Sequence, residues 1–298
     1  MNPQDHKIFF LLDAINPHAI KTWIKRHQKI TDYTAQHYAF FANRRSQVME
    51  ELKRALRDEQ KEYVFDKSWS RIVSHQYSNT PLSTTGSVLS IPGGRFNVGK
   101  IDVARFPQFP ALYLAENTET AYLESLGLTR NESIDGLTAK ELAAAGNFSH
   151  FQITGRITQV LDLTQKTALA NFYELIKDIQ LPIYFRQEAR VLGINPPLPV
   201  NSLDELYETI FSDEWRFAPM QLDIPANSQI LGQIARSAGL EAILYTSVKC
   251  GHLALCVFPD NFKNSESCIQ IVGEVADTVM DKRLDKNTYE KFLPAKWD

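Results

Sequence analysis

The sequence has only three cysteines in 298 residues, Cys250, Cys256 and Cys268. That excludes a disulfide framework and points to a reducing compartment, the cytoplasm. Long hydrophobic runs are missing too: stretches such as HLALCVF fall far short of the ~20 residues a membrane span needs. The N-terminal stretch MNPQDHKIFFLLDAINP has acids on both sides of its short apolar run, and neither a basic leader nor a small-residue cleavage site, so it does not read as a signal peptide. There is no excess of positive charge. The formal net charge is −3, which leaves no global field to recruit nucleic acid. Internal repeats and low-complexity segments are absent. With 44% apolar and 22% charged residues, the chain has the balance of a soluble globular protein, long enough for one large domain or two ordinary ones.

Glycine and proline are missing from Thr34 to Tyr63, and Phe41, Val48, Leu52 and Leu56 recur there at spacings of seven, four and four. This spacing predicts helix with one apolar face, and residues 1–65 read as a helical segment. Residues 1–62 hold eleven Lys and Arg against eight Asp and Glu, a surplus that the rest of the chain reverses. Such a basic segment is read as a helical layer packed on the main domain, with an acidic partner as the alternative.

From Ser68 onward the texture changes to short strands and turns. SWSRIVSH alternates as a strand, and NTPLSTTGSVLSIPGGRFNVG is a turn-rich connection. ALYLA is a strand, Asn117 caps the helix TETAYLESL, and Gly127 closes it. Residues 148–163 read as a strand bent at Gly155, and residues 165–217 as mainly helical, broken at NPPLP. The helix NSQILGQIARSAG precedes the strands EAILYTS and HLALCVFP, joined around Lys249–Gly251, and CIQIVGEVA is a last strand.

GGRFNVG is neither a Walker loop, since no G-K-[ST] follows, nor a dinucleotide fingerprint, since the spacing fails and ALYLA comes next instead of a helix. Taken alone it reads as a hairpin with a solvent-exposed arginine, or as a loop whose small residues let a guanidinium lie against a phosphate. Cys250, His252 and Cys256 match no standard zinc spacing and read as structural. Asp162 in VLDLT reads as a strand-end residue bonding a turn.

One ordered set stands out: Arg71 in WSRIVSH, Arg95 and Asn97 in GGRFN, Tyr113 and Glu124 in ALYLAENTETAYLES, VLDLT, and Ser247 in AGLEAILYTSV. It resembles the RES domain, a family of bacterial toxins named for its arginine, glutamate and serine and usually encoded beside an Xre-type antitoxin. The resemblance runs over about residues 68–260. The sequence departs from shorter members in the long segment VGKIDVARFPQFPA and in the more than one hundred residues between Glu124 and Ser247; residues 1–65 lie outside the resemblance.

The resemblance implies an α+β fold, with an ADP-ribosyltransferase-like core of two packed, twisted β-sheets and surrounding helices over residues 66–298, preceded by the helical segment 1–65. It implies NAD+ as substrate and no metal, with Glu124, Arg95 and Ser247 catalytic and Arg71, Asn97 and Tyr113 binding the substrate. Arg71 and Arg95 would hold the pyrophosphate, Tyr113 would stack on or hydrogen-bond the ligand, and Ser247 would bond the ligand or orient an arginine. The implied activity is that of a toxin cleaving the nicotinamide–ribose bond, with an Xre-type antitoxin as partner. A homodimer is left open, and neither nucleic acid nor membrane is a partner. The alternatives are a protein ADP-ribosyltransferase and a nonenzymatic nucleotide- or antitoxin-binding module.

Overall fold

The computed structural model describes residues 17–129, 132–134, 137–138, 141–142, 148–196 and 198–295; the N-terminal apolar run read above lies outside the described residues. In chain order the helices are α1 (Pro17–Gln47), α2 (Met49–Asp58), α3 (Thr85–Leu89), α4 (Thr118–Leu126), α5 (Ala170–Ile176), α6 (Ile183–Leu192), α7 (Leu203–Ile210), α8 (Phe217–Gln221) and α9 (Asn227–Ser237). The strands are β1 (Gln60–Val64), β2 (Trp69–Ser74), β3 (Gly93–Gly94), β4 (Asn97–Val98), β5 (Leu112–Ala115), β6 (Ser133–Ile134), β7 (Leu137–Thr138), β8 (Phe148–Asp162), β9 (Ala242–Thr246), β10 (Leu253–Val257), β11 (Cys268–Val272) and β12 (Arg283–Leu284). No described helix is long and apolar enough to cross a membrane.

The described chain divides into two compact units, one ending at Asn43 and including Gln180–Leu198, the other comprising Arg44–Ile179 and the residues from Pro199 onward. The first unit is built on α1 and α6. Tyr33, Phe185, Ala189 and Leu192 are buried together, with Ile30, Phe40 and Phe41 packed on them, and the rings of Tyr33 and Phe185 meet edge to face at 5.8 Å. Gly193 ends α6 with φ of 67°, the left-handed value that favours glycine.

The second unit is organised by β8. Its N-terminal half pairs with β2 on one edge (Trp69 opposite Ile153) and with β11 on the other (Ile271 opposite Ile153). Its C-terminal half pairs with β1 on one edge and, in parallel, with β9 on the other. Because β2, β5, β10 and β9 follow one another in hydrogen-bonded order, the sheet leaves β8 at one edge and returns to it at the other. The fold is thus α+β with twisted β-structure, and both halves of the β-structure run through this one strand. At Gly155, the expected bend, β11 comes so near that a Cβ would lie 2.2 Å from the Cys268 carbonyl oxygen.

Alternation along β9 and β10 divides the interior in two. Ala242, Leu244, Leu255 and Val257 face a core enclosed by the curled sheet, with Trp69, Leu112, Leu114, Ile153 and Val160. Ile243, Tyr245, Ala254 and Cys256 face the other way, towards Leu52 and Leu56 of α2, Phe172 of α5, Ile210 of α7 and Leu231 and Ile234 of α9. Each such fully buried large side chain contributes about 1.5–3 kcal/mol.

Two details differ from the sequence reading. Val48 breaks the expected long helix with φ of −120°, so Phe41 belongs to the first core and Leu52 and Leu56 to the second. Gln60–Val64 lies inside the stretch read as helical, yet it forms a strand because β8 offers it an antiparallel edge and half-buried Tyr63 packs its ring against Trp69.

Candidate active site

GGRFN forms a hairpin of β3 and β4, and glycine is required there for close approach. Gly93 has φ of 99°, and a Cβ on Gly94 would lie 2.3 Å from the Tyr113 hydroxyl oxygen. From the other side, Gly232 lets α9 come so near that a Cβ would lie 2.0 Å from the Phe96 carbonyl oxygen. Asn97, fully buried, accepts from the Gly94 amide and the Tyr113 hydroxyl, both at 2.9 Å, and donates to the Ser87 and Phe109 carbonyls. The Tyr113 hydroxyl in turn accepts from the Phe96 amide at 3.0 Å, and burial raises this phenol well above its ordinary pKa, so it stays protonated. Gln229 of α9 donates to three hairpin carbonyls, those of Pro92, Gly94 and Asn97. The polar atoms of Asn97 and Tyr113, read as ligand contacts, are thus engaged in holding the hairpin.

The hairpin carries Arg95 inward. Its residue is 4% exposed, which corrects the reading of a solvent-exposed loop arginine: the inserted segment around α7 and Trp215 covers it. One guanidinium nitrogen donates to the carbonyls of Ile210 and Ser212 at 3.1 and 3.0 Å, and the group lies 5.7 Å from the Trp215 ring centre. Its Nε and second terminal nitrogen form no hydrogen bond among the described residues.

Glu124 is placed by α4 much as its caps predicted. The Asn117 side chain accepts from the Thr120 amide at 2.9 Å, Gly127 ends the helix with φ of 72°, and buried Ala121 and Leu123 leave Glu124 half-buried on the adjoining face. The Ser247 hydroxyl, on a residue 1% exposed, donates to one Glu124 carboxylate oxygen at 2.5 Å. Ser247 itself is fixed by the β9–β10 turn, its amide donating to the His252 carbonyl and its carbonyl accepting from the Gly251 amide. Behind this pair, burial first and then the Glu124 charge raise the Tyr245 phenol well above its ordinary pKa. The Ser247 hydroxyl is thus directed at the Glu124 carboxylate.

Arg71 lies apart from that pair. Its guanidinium donates to the carbonyls of Pro81, Tyr113 and Ser83 at 2.5, 2.9 and 3.2 Å, and none of its bonds goes to Glu124, Ser247 or Arg95. Burial lowers its pKa to about 10, so it remains a cation at neutral pH and clamps the loop after β2 onto β5.

The structure adds an arginine that the sequence reading missed. Arg216 follows Trp215 in the long segment between Glu124 and Ser247, and its guanidinium lies 4.6 Å from the Trp215 ring centre. Its terminal nitrogens come within 3.7 and 3.9 Å of the position a Cβ would take on Gly127, at the end of the helix bearing Glu124. The tryptophan–arginine pair in SDEWRFAPM was the available signal, but without a spacing that tied it to Glu124.

Asp162 bonds a turn as read, whereas His252 precedes β10 and its side chain stays partly exposed. Asp162 accepts from the Thr164 amide and hydroxyl at 3.0 and 2.6 Å. Cys256 is fully buried, with its thiol pKa raised by burial, and Cys250 donates to the Thr120 hydroxyl. Among the described residues no group of three or more His, Cys, Asp or Glu side chains is placed to hold a metal. A cavity of about 600 Å³, lined by His75, Ser149, His150, Phe151, Glu274 and Val279 among others, contains none of the residues discussed above as site candidates.

No curated protein matches this sequence. Among solved structures, the chain is similar to a chain of the crystal structure of the M. tuberculosis MbcT-MbcA toxin-antitoxin complex, with 18% identity and a TM-score of 0.44 over 82% of this chain and 97% of that one. The family model of the RES domain matches residues 68–182, the span that includes Arg71, the GGRFN hairpin, Tyr113 and Glu124. That match takes in 115 of the 298 residues and ends before Ser247.

Proposed function

We propose that this protein is the toxin of a toxin–antitoxin pair that acts in the cytoplasm by cleaving the nicotinamide–ribose bond of NAD+, which enters as substrate and not as a resident cofactor. One observation carries the reading: a glutamate carboxylate fixed by a buried serine hydroxyl, on the helix whose end meets the guanidinium of Arg216, which shares an indole with Arg95. The match to the RES family model supports it, and the functional unit runs past the matched span to include Ser247.

The chemistry asks for little else. As the C1′–N bond breaks, its electron pair goes to the nicotinamide nitrogen, so the leaving group departs neutral and no general acid is needed. Positive charge builds on the ribose, as in glycoside hydrolysis. Glu124 stabilises that charge, and Ser247 holds the carboxylate in place beforehand, so no reorganisation is required when the charge appears. An oxygen of water or phosphate then bonds to C1′; when water attacks, its proton passes to solvent. Asn97, Tyr113 and Gln229 are positioning residues that fix Arg95 through the hairpin. The proposed control is an Xre-type antitoxin that covers the site, and a carboxylate of that partner would meet the same arginines.

The test is to incubate purified protein with NAD+, with and without phosphate, and identify the products. Nicotinamide with ADP-ribose, or with its phosphorylated form, is the expected result. ADP-ribose found on a protein acceptor points instead to protein ADP-ribosyltransfer, and binding without turnover to a nonenzymatic module.

A further inference from the structure

We propose that Arg216, which lies outside the span matched by the RES family model, binds a phosphate of the substrate's pyrophosphate alongside Arg95. This rests on the reading of NAD+ as substrate. Two arginines bear on one buried indole, Arg216 at 4.6 Å and Arg95 at 5.7 Å from the ring centre of Trp215, itself 6% exposed. Arg95 is held there by two backbone carbonyls. The Arg216 guanidinium makes no hydrogen bond or ion pair among the described residues, although the residue is partly buried and the group carries five N–H donors. A guanidinium packed against an indole, with its donors unpartnered and a second guanidinium nearby, is suited to an oxyanion that accepts two parallel bonds.

The electrostatics agree. Burial, and after it the charge of Arg95, lower the pKa of Arg216, while the Glu124 carboxylate opposes the shift. An anion between the two arginines removes their mutual repulsion. Charge balance also favours two cations over one: a pyrophosphate adds two negative charges to a site that already holds a carboxylate, and with Arg95, Arg216 and the pyridinium of the substrate the charges cancel. A different role for Arg216 is simple packing on the last turn of α4, over Gly127, where a cation complements the helix dipole. That role predicts changes in stability without changes in anion affinity.

The experiment measures the wild type, Arg216→Gln and Arg216→Lys for ADP-ribose affinity by calorimetry, for KM and kcat on NAD+, and for thermal stability. Losing charge-assisted bonds to a phosphate is expected to weaken ADP-ribose binding and raise KM by about ten- to a hundredfold in Arg216→Gln, with kcat changed much less. Arg216→Lys, which keeps the charge but not the fork, should recover part of the loss. If the wild type cleaves NAD+ and folded Arg216→Gln keeps its KM and ADP-ribose affinity, the assignment is overturned while the functional reading stands. If the wild type leaves NAD+ intact, that reading fails, and titration with inorganic pyrophosphate decides Arg216: weaker binding in Arg216→Gln supports the anion site, and equal or absent binding in both proteins overturns it.

Discussion

Arg71 and Arg95 belong to one motif set, both read as holding the pyrophosphate and only Arg95 also as catalytic, and their surroundings separate them further. Around Arg71 the chain offers three backbone carbonyls, which fix the guanidinium as a clamp between the loop after β2 and β5. Around Arg95 two carbonyls meet the same terminal nitrogen, and a tryptophan face shared with Arg216 lies beside the group. The comparison teaches that the residue type alone does not assign the role. The donors of Arg71 fan out to main-chain oxygens, whereas those of Arg95 are taken from one side, next to a second arginine, and in the proposed function it is Arg95 that meets the anion.

Substitutions sharpen or break this contrast. The largest effect is expected at Arg95: replacing it by alanine should lower NAD+ turnover by about a hundredfold or more and relieve growth arrest when the protein is expressed in a bacterial cytoplasm. Growth arrest with intact NAD+ would point to another target. Arg71→Lys should act mainly on the fold. It breaks bonds to carbonyls that then lack a partner, so stability should fall by about 2 kcal/mol in denaturant unfolding, with KM moving less than tenfold. The opposite ranking of the two arginines would break the comparison. Tyr113→Phe should be milder, costing about 1 kcal/mol because the Phe96 amide and one Asn97 bond lose their partner, with a small fall in turnover as the hairpin loosens.

The local framework was legible because local rules governed it. Asn117 and Gly127 bound α4 as capping chemistry predicts, the apolar runs AILYT and LALCV marked two strands, and Gly155 marked where β8 is crowded by β11. The order of motifs placed Glu124 and Ser247 in one site although more than one hundred residues separate them, and their hydrogen bond is the result. What was not legible depended on packing at a distance. A glycine-flanked arginine reads as accessible, and only the segment around Ile210, Ser212 and Trp215 buries Arg95. Arg216 sits in that same segment, where no periodicity links it to α4. The strand Gln60–Val64 continues a glycine-free helical stretch, and only the free edge of β8 made it a strand.

The central claim is that the carboxylate of Glu124, held by Ser247, drives cleavage of the nicotinamide–ribose bond. The most direct measurement is nicotinamide release from NAD+ by the wild type and by Glu124→Gln, with circular dichroism confirming that both are folded. Release by the wild type and a loss of about a hundredfold or more in the variant is the expected result. Equal release by the folded variant, or a wild type that leaves NAD+ untouched, would contradict the account.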